Sequence, residues 1–158
     1  MELLRVATDD ERETVRRLYP LYLHDLSQWS EHYRLDAGGS WQPSYVDDFL
    51  SRAHCTAFLL REAGSAAGFA WVGGGDFPRK RPDRDWRLAE LFVAAPFRRR
   101  GLGAALANGV LDSFEGAWQL EVIDGNDPAL AFWRRVLGTR GEFVEEPGEG
   151  DTVFLFRQ

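Results

Sequence analysis

Arg98-Arg99-Arg100-Gly101-Leu102-Gly103-Ala104 follows the apolar run Leu88-Ala89-Glu90-Leu91-Phe92-Val93 and opens an amphipathic segment. From Leu102 the apolar or small positions recur at Ala105, Leu106, Gly109, Val110 and Ser113, the spacing of one buried helix face. The unit therefore reads as strand, glycine-containing turn, helix. The first amides of a helix lack internal partners and lie at its positive dipole end, so the turn is suited to an anion. Gly101 and Gly103 carry no Cβ, which lets a ligand approach the backbone. Arginines beside them add charge and bidentate phosphate geometry. The stretch reads as a pyrophosphate cradle.

Two other phosphate loops are excluded by single positions. A Walker A loop needs Lys and then Ser or Thr after its last glycine, where this chain has Ala104 and Ala105. A dinucleotide fingerprint needs Gly or Ala where Leu106 stands.

With 158 residues, 44% hydrophobic and 13% aromatic, residues 1–158 read as one folded domain rather than a disordered chain. A net charge of −6 argues against nucleic acid or an anionic membrane as the main partner and mildly favours a cationic acceptor. Cys55 is the only cysteine, so no internal disulfide can form. The opening Met1-Glu2-Leu3-Leu4-Arg5 lacks the basic flank and apolar core of a secretory signal, and no apolar run is long enough to span a membrane. The expected location is the cytoplasm. His24, His32 and His54 have neither the spacing nor the cysteine company of a metal site, so no metal is expected.

Taken in order, Leu3 to Ala7 is a first strand, and Thr8 with Glu11 forms a capping box before a helix. That helix carries the stripe Val15, Leu18, Tyr19, Tyr22, Leu23, Leu26, with Pro20 expected to kink or split it near Tyr19. Residues 27 to 42 read as loop and Tyr45 to Leu50 as a short helix. His54 to Glu62 and Gly68 to Val72 form a hairpin pair, and Leu88 to Val93 is the central strand. The helix after it is predicted from Arg99 to about Glu115, then a strand over Trp118 to Ile123. Asn126 caps a last helix with Pro128 in its first turn, Gly138 ends it, and strands over 142–145 and 152–157 close the chain. Such an order gives an α/β fold: a mixed, mostly antiparallel sheet of about seven strands with helices on both faces. Arg79-Lys80-Arg81 reads as a solvated loop.

Two motifs together carry a family resemblance. The turn is Arg-x-x-Gly-x-Gly after a strand, and the second motif is Leu120-Glu121-Val122 followed by Asn126-x-x-Ala129-x-x-Phe132-Trp133 and Gly138. The chain resembles the GNAT (Gcn5-related) N-acetyltransferases, by motif from about Leu88 to Gly138 and by element order throughout. Its Tyr19 to Ser27 stretch is similar to acetyltransferases with no assigned acceptor.

The resemblance implies an acetyl-CoA-dependent N-acetyltransferase acting on a primary amine of a small molecule or peptide by direct attack in a ternary complex. A non-catalytic acyl-CoA-binding or sensing module of the same fold is its alternative. The backbone of Phe92 and Val93 would pair with the pantetheine arm in a wedge between the central strand and the next. The amides of Arg99, Arg100, Gly101, Leu102, Gly103 and Ala104 would hold the pyrophosphate, with the Arg98 and Arg100 side chains alongside. Asn126 would reach the pantetheine, and Phe132 and Trp133 would pack near the thioester. Trp133 stands where many members have the tyrosine that protonates the leaving thiolate, and indole has no useful acidity. Members are often dimers, so a homodimer is among the implications.

Amine acetylation needs a base, because a lysine-like amine is mostly protonated at neutral pH. Glu121, at a position where similar members place a catalytic glutamate, is one candidate, and Glu90 on the central strand is the other. Tyr19, Tyr22, His24 and Asp25 on the first helix are candidates for lining the acceptor pocket, although the tyrosines also suit the core.

Overall fold

The computed structural model describes every residue from Met1 to Gln158. Strand β1 (Glu2–Arg5) leads into helix α1 (Asp9–Leu26), a two-stranded ribbon of β2 (Arg34–Leu35) and β3 (Trp41–Gln42), and helix α2 (Val46–Ser51). Strands β4 (Cys55–Glu62), β5 (Ser65–Gly73) and β6 (Trp86–Val93) follow, then a 3-10 turn at Ala95–Phe97 and helix α3 (Leu102–Leu111). Strand β7 (Ala117–Ile123), helix α4 (Asp127–Gly138) and strands β8 (Phe143–Pro147) and β9 (Asp151–Arg157) complete the chain.

The main sheet has seven strands in the order β1-β4-β5-β6-β7-β9-β8, and only β6 and β7 run parallel. Alternation along each strand sends one set of side chains to either face. On one face Leu60, Val72, Leu88 and Leu120 meet Leu106, Val110, Trp133 and Val136 of α3 and α4. On the other, Leu59, Phe69, Trp71 and Phe92 meet Val15, Leu18, Tyr19 and Leu23 of α1 and Phe49 of α2. The mixed sheet with helices on both faces is as the sequence reads.

Three local expectations are corrected. Pro20 does not split α1: the helix is continuous, and the proline lies on its exposed side, where the carbonyl it leaves unpaired can reach water. Buried Val15, Leu18, Tyr19 and Leu23 hold the turns on both sides of it against the sheet. Helix α3 begins at Leu102 rather than Arg99, because Arg99 (φ 59°) and Gly101 (φ 79°) are in the left-handed region. The 27–42 loop contains the β2–β3 ribbon, whose turn is closed by Asp36 Oδ1 accepting from the amides of Gly38 and Ser40 at 2.8 and 2.9 Å.

Strand β6 is irregular in two respects. Trp71 pairs with Glu90 and Val72 with Leu88, so Ala89 is an extra residue and the strand bulges. Pairing with β7 covers only Trp86–Leu88 against Trp118–Leu120. Beyond Leu88 the two parallel strands part.

Candidate active site

Where β6 and β7 separate, two cavities share a wall made by Tyr22, Leu26, Leu91, Asn126, Ala129 and Trp133. The larger, about 1090 Å³, runs along Val93 to the turn before α3 and is flanked by Phe132 and Arg135 of α4. The smaller, about 170 Å³, is lined by Tyr22 and Tyr33, by Arg79, Arg87, Glu121 and Asp151, and by Glu90 of the central strand.

At the mouth of the larger cavity the first helical hydrogen bond of α3 is Ala105 N to Gly101 O, at 3.0 Å. The amides of residues 99 to 104 have no acceptor within the chain. An ideal Cβ at Gly101 meets nothing within 4 Å, and one at Gly103 meets only the Phe132 ring at 3.4 Å, so the two glycines open the backbone to a ligand. A run of free donors at a helix N-terminus beside an elongated cavity suits a diphosphate with a long tail. The residues present therefore fit coenzyme A.

The three arginines do not act alike. Arg98 turns inward, its Nε donating to Val93 O at 2.7 Å and its Nη2 to Asp25 of α1. Arg100 turns away to Glu62 at 3.5 Å and does not line the cavity. Of these three only Arg99 lines the cavity with no partner, so a side-chain role expected of Arg100 is better suited to Arg99.

Main-chain direction also corrects Phe92. Ala94 N donates to Ala67 O at 2.8 Å, and the Phe92 carbonyl oxygen lies 2.2 Å from where a Cβ on Gly68 would stand. Phe92 thus faces β5 with its main chain, and alternation leaves Val93 to face the wedge. The side chain of Phe92 lies under Tyr22, ring centroids 5.8 Å apart.

The first-helix candidates separate as clearly. Tyr19 is 2% exposed, packed on Trp71 with ring centroids 5.1 Å apart, and lines neither cavity, so it belongs to the core and not to the pocket. Asp25 lines the larger cavity as the partner of Arg98. His24 lines neither cavity. Tyr22 lines both and donates its phenol proton to Glu90 Oε2.

The two glutamates differ in how their oxygens are used. Glu121 accepts from Arg87 Nε on both oxygens, at 3.2 and 2.9 Å, and from the Gln119 amide. The Glu121 and Arg87 side chains are only 8% and 9% exposed, a buried and fully engaged ion pair. Glu90 has Tyr22 alone. Burial pushes its carboxyl up to about 7, the Tyr22 hydrogen bond and the Arg87 and Arg79 charges draw it down, and Glu121 raises it. Its proton affinity therefore suits proton transfer near neutral pH.

On α4, Asn126 Oδ1 caps the helix by accepting from Ala129 N at 3.2 Å, and the residue lines both cavities. Trp133 is 6% exposed in the wall they share. Sequence reasoning missed Tyr33, Arg79, Arg87, Asp151 and Arg135, which reach the cavities from separate segments of the chain. The Arg79 side chain is exposed, in keeping with the solvated loop read from the sequence, but it also lines the smaller cavity and pairs with Asp151 at 2.5 Å. No group of three His, Cys, Asp or Glu side chains is placed to hold a metal ion, and no helix is long and apolar enough to cross a membrane.

The chain matches the model of the acetyltransferase (GNAT) family over residues 23–139. Among solved structures, an acetyltransferase from Thermus thermophilus is 21% identical with a TM-score of 0.65, over 100% of this chain and 98% of that one. An N-acetyltransferase from Staphylococcus aureus is 15% identical with a TM-score of 0.68, over 99% and 100%. Tetrahymena GCN5 is 13% identical with a TM-score of 0.61, over 97% and 94%. At these identities the likeness is one of fold. A search of curated proteins finds no match.

Proposed function

Because the chain belongs to the GNAT family of acetyltransferases, we propose that it transfers an acetyl group from acetyl-CoA to a primary amine by direct attack in a ternary complex, with Glu90 as the base. The observation that carries this reading is the position of Glu90, a carboxyl held near neutral proton affinity in the lining of the smaller cavity and hydrogen-bonded to Tyr22 of the wall the two cavities share.

Acetyl-CoA supplies an acetyl group activated as a thioester, whose thiolate is a leaving group of low basicity. The free amides of residues 99 to 104 and the Arg99 guanidinium would hold its diphosphate, and the Val93 main chain and Asn126 its pantetheine arm. An alkylamine near its ordinary pKa of about 10 arrives as ammonium and has no lone pair to offer. Glu90 takes that proton inside the small chamber, and Tyr22, donating to Oε2, steadies the carboxylate until it does. Glu121 does not serve as the base in this reading, since Arg87 and Gln119 occupy both its oxygens. Its part is to keep Arg87 paired beside the chamber.

Direct attack is supported by the state of the only thiol. Cys55 lines neither cavity, and burial pushes its thiol up to about 12, far from a nucleophile's range. Trp133 supplies no acid and walls the thioester end of the wedge. A module that only bound or sensed the acyl-CoA would have no use for a near-neutral carboxyl at this place. A lone cysteine and dependence on acetyl-CoA both suit the cytoplasm.

The test is thiol release from acetyl-CoA across a panel of small amines and peptides, with wild type and Glu90→Gln compared. The expected result is turnover that falls by about 10²–10⁴ in the variant while CoA affinity is kept. Equal turnover by the variant would remove Glu90 from its role, and no release with any amine would defeat the enzyme reading.

A further inference from the structure

We propose that Arg79 is the anion-recognition residue of the acceptor chamber, so that the acceptor is a small primary amine that also carries a carboxylate or phosphate. The inference rests on the acetyl-transfer reading and names the class of amine.

Arg79 is held in place by unusual means. Its φ is 62°, a left-handed conformation that a non-glycine residue adopts at a cost. The segment is clamped by Gln119 of β7, 3% exposed, whose side-chain amide donates to Arg79 O at 2.9 Å and accepts from Arg81 N at 2.8 Å. Arg87 adds a bond from Nη1 to Pro78 O at 3.3 Å. A buried glutamine reading two main-chain groups of a three-residue segment fixes where the residue between cavity and solvent stands. Strain of this kind is retained where the surroundings enforce it, commonly at binding sites.

What is fixed there is a cation with unused donors. A guanidinium has five N–H groups, and that of Arg79 makes one hydrogen bond, from Nη2 to Asp151 Oδ2. Its side chain remains 59% exposed, whereas that of Arg87 is 9% exposed and turned onto both oxygens of Glu121. Arg79 can therefore accept an incoming anion while keeping Asp151.

The carboxylates of the chamber point the same way. Glu121 is engaged by Arg87. One oxygen of Asp151 is engaged by Arg79; the other has no hydrogen-bond partner but is buried out of solvent beneath Gly148, where a Cβ would stand 2.0 Å from it. Glu90 alone is left for the acceptor's nitrogen. An acceptor with a second ammonium would find no free carboxylate, while one with an anionic group finds free guanidinium donors. At about 170 Å³ the chamber takes a small molecule. A base for the nitrogen and a fork for an anion describe a zwitterion.

The experiment measures thiol release for α-amino acids and for 2-aminoethyl phosphate, each beside its uncharged counterpart (the carboxamide, and ethanolamine). Binding of the same compounds is followed by calorimetry on protein saturated with CoA. The expected result is a preference of at least about tenfold in kcat/KM for the anionic member of one pair, with matching tighter binding. The favoured pair identifies the anion as carboxylate or phosphate. Arg79→Gln and Arg79→Lys are expected to bring that ratio towards one, chiefly through KM, and the lysine variant keeps a cation beside Asp151 so that folding is preserved. A wild type that acetylates the uncharged members equally or better overturns the inference and leaves acetyl transfer standing, as does a ratio unchanged in both variants. If none of these compounds releases CoA while another amine or peptide of the panel does, this inference fails and acetyl transfer stands; if none of the panel does, both fail.

Discussion

The phenol of Tyr22 donates to Oε2 of Glu90 and so ties the first helix to the central strand at the wall the two cavities share. The contact depends on the bulge at Ala89. Without that extra residue Glu90 would follow strict alternation from Leu88 to the opposite core; with it, the carboxyl reaches the α1 face beside Phe92. One backbone irregularity thereby sets both the position of the acid and its low hydration.

The first consequence is a pH dependence. Glu90 must be ionised to take a proton, and its carboxyl sits at about 7, so kcat/KM is expected to rise with pH through that value and then level. The Tyr22 hydrogen bond favours the ionised form, so its loss in Tyr22→Phe should move the rising limb to higher pH. Profiles of both proteins check this, and a limb that stays in place or moves to lower pH in the variant would contradict it.

The same carboxyl affects stability with a definite sign. Between the ordinary value of 4.5 and about 7 the folded protein holds a proton on Glu90 that the unfolded chain has released. The unfolded state then binds fewer protons, and stability falls as pH rises across that window. Glu90→Gln removes the dependence. Its melting temperature relative to wild type should be higher at pH 8 than at pH 4, measured by circular dichroism.

Glu121 should behave as a structural partner. Its loss leaves Arg87, 8% exposed, without a counter-charge, and breaking a buried pair from one side costs about 3–5 kcal/mol. Glu121→Ala is therefore expected to lower the denaturation midpoint strongly, and the double variant with Arg87→Met should recover part of the loss. Unchanged stability in the single variant would contradict the pairing.

Much of this architecture is legible in the sequence because it is local. The Thr8–Glu11 capping box, the α3 and α4 stripes and the glycines at 101 and 103 each act within a few residues, and the strands and helices fall close to where their periodicity puts them. The site is less legible because it is made by contacts across the chain. Tyr22 meets Glu90 across 68 positions, Arg79 meets Asp151 across 72, and Arg87 meets Glu121 across 34. No periodicity reports such pairs. Arg79 looks like one charge in a basic run until Gln119 is seen holding its main chain. Tyr19 and Tyr22 share one helix face, and only the packing on Trp71 and the bond to Glu90 tell a core residue from a site residue. The direction of the Phe92 carbonyl likewise needs the register with β5.

Titration of CoA into the protein by calorimetry, with Gly103→Glu in parallel, tests the whole arrangement most directly. If the amides before and within the first turn of α3 hold a diphosphate, wild type binds in the micromolar range. The variant, whose carboxylate enters the mouth of the larger cavity beside Phe132, loses that binding while keeping its melting temperature. No heat with wild type, or equal affinity in both proteins, would contradict the cradle.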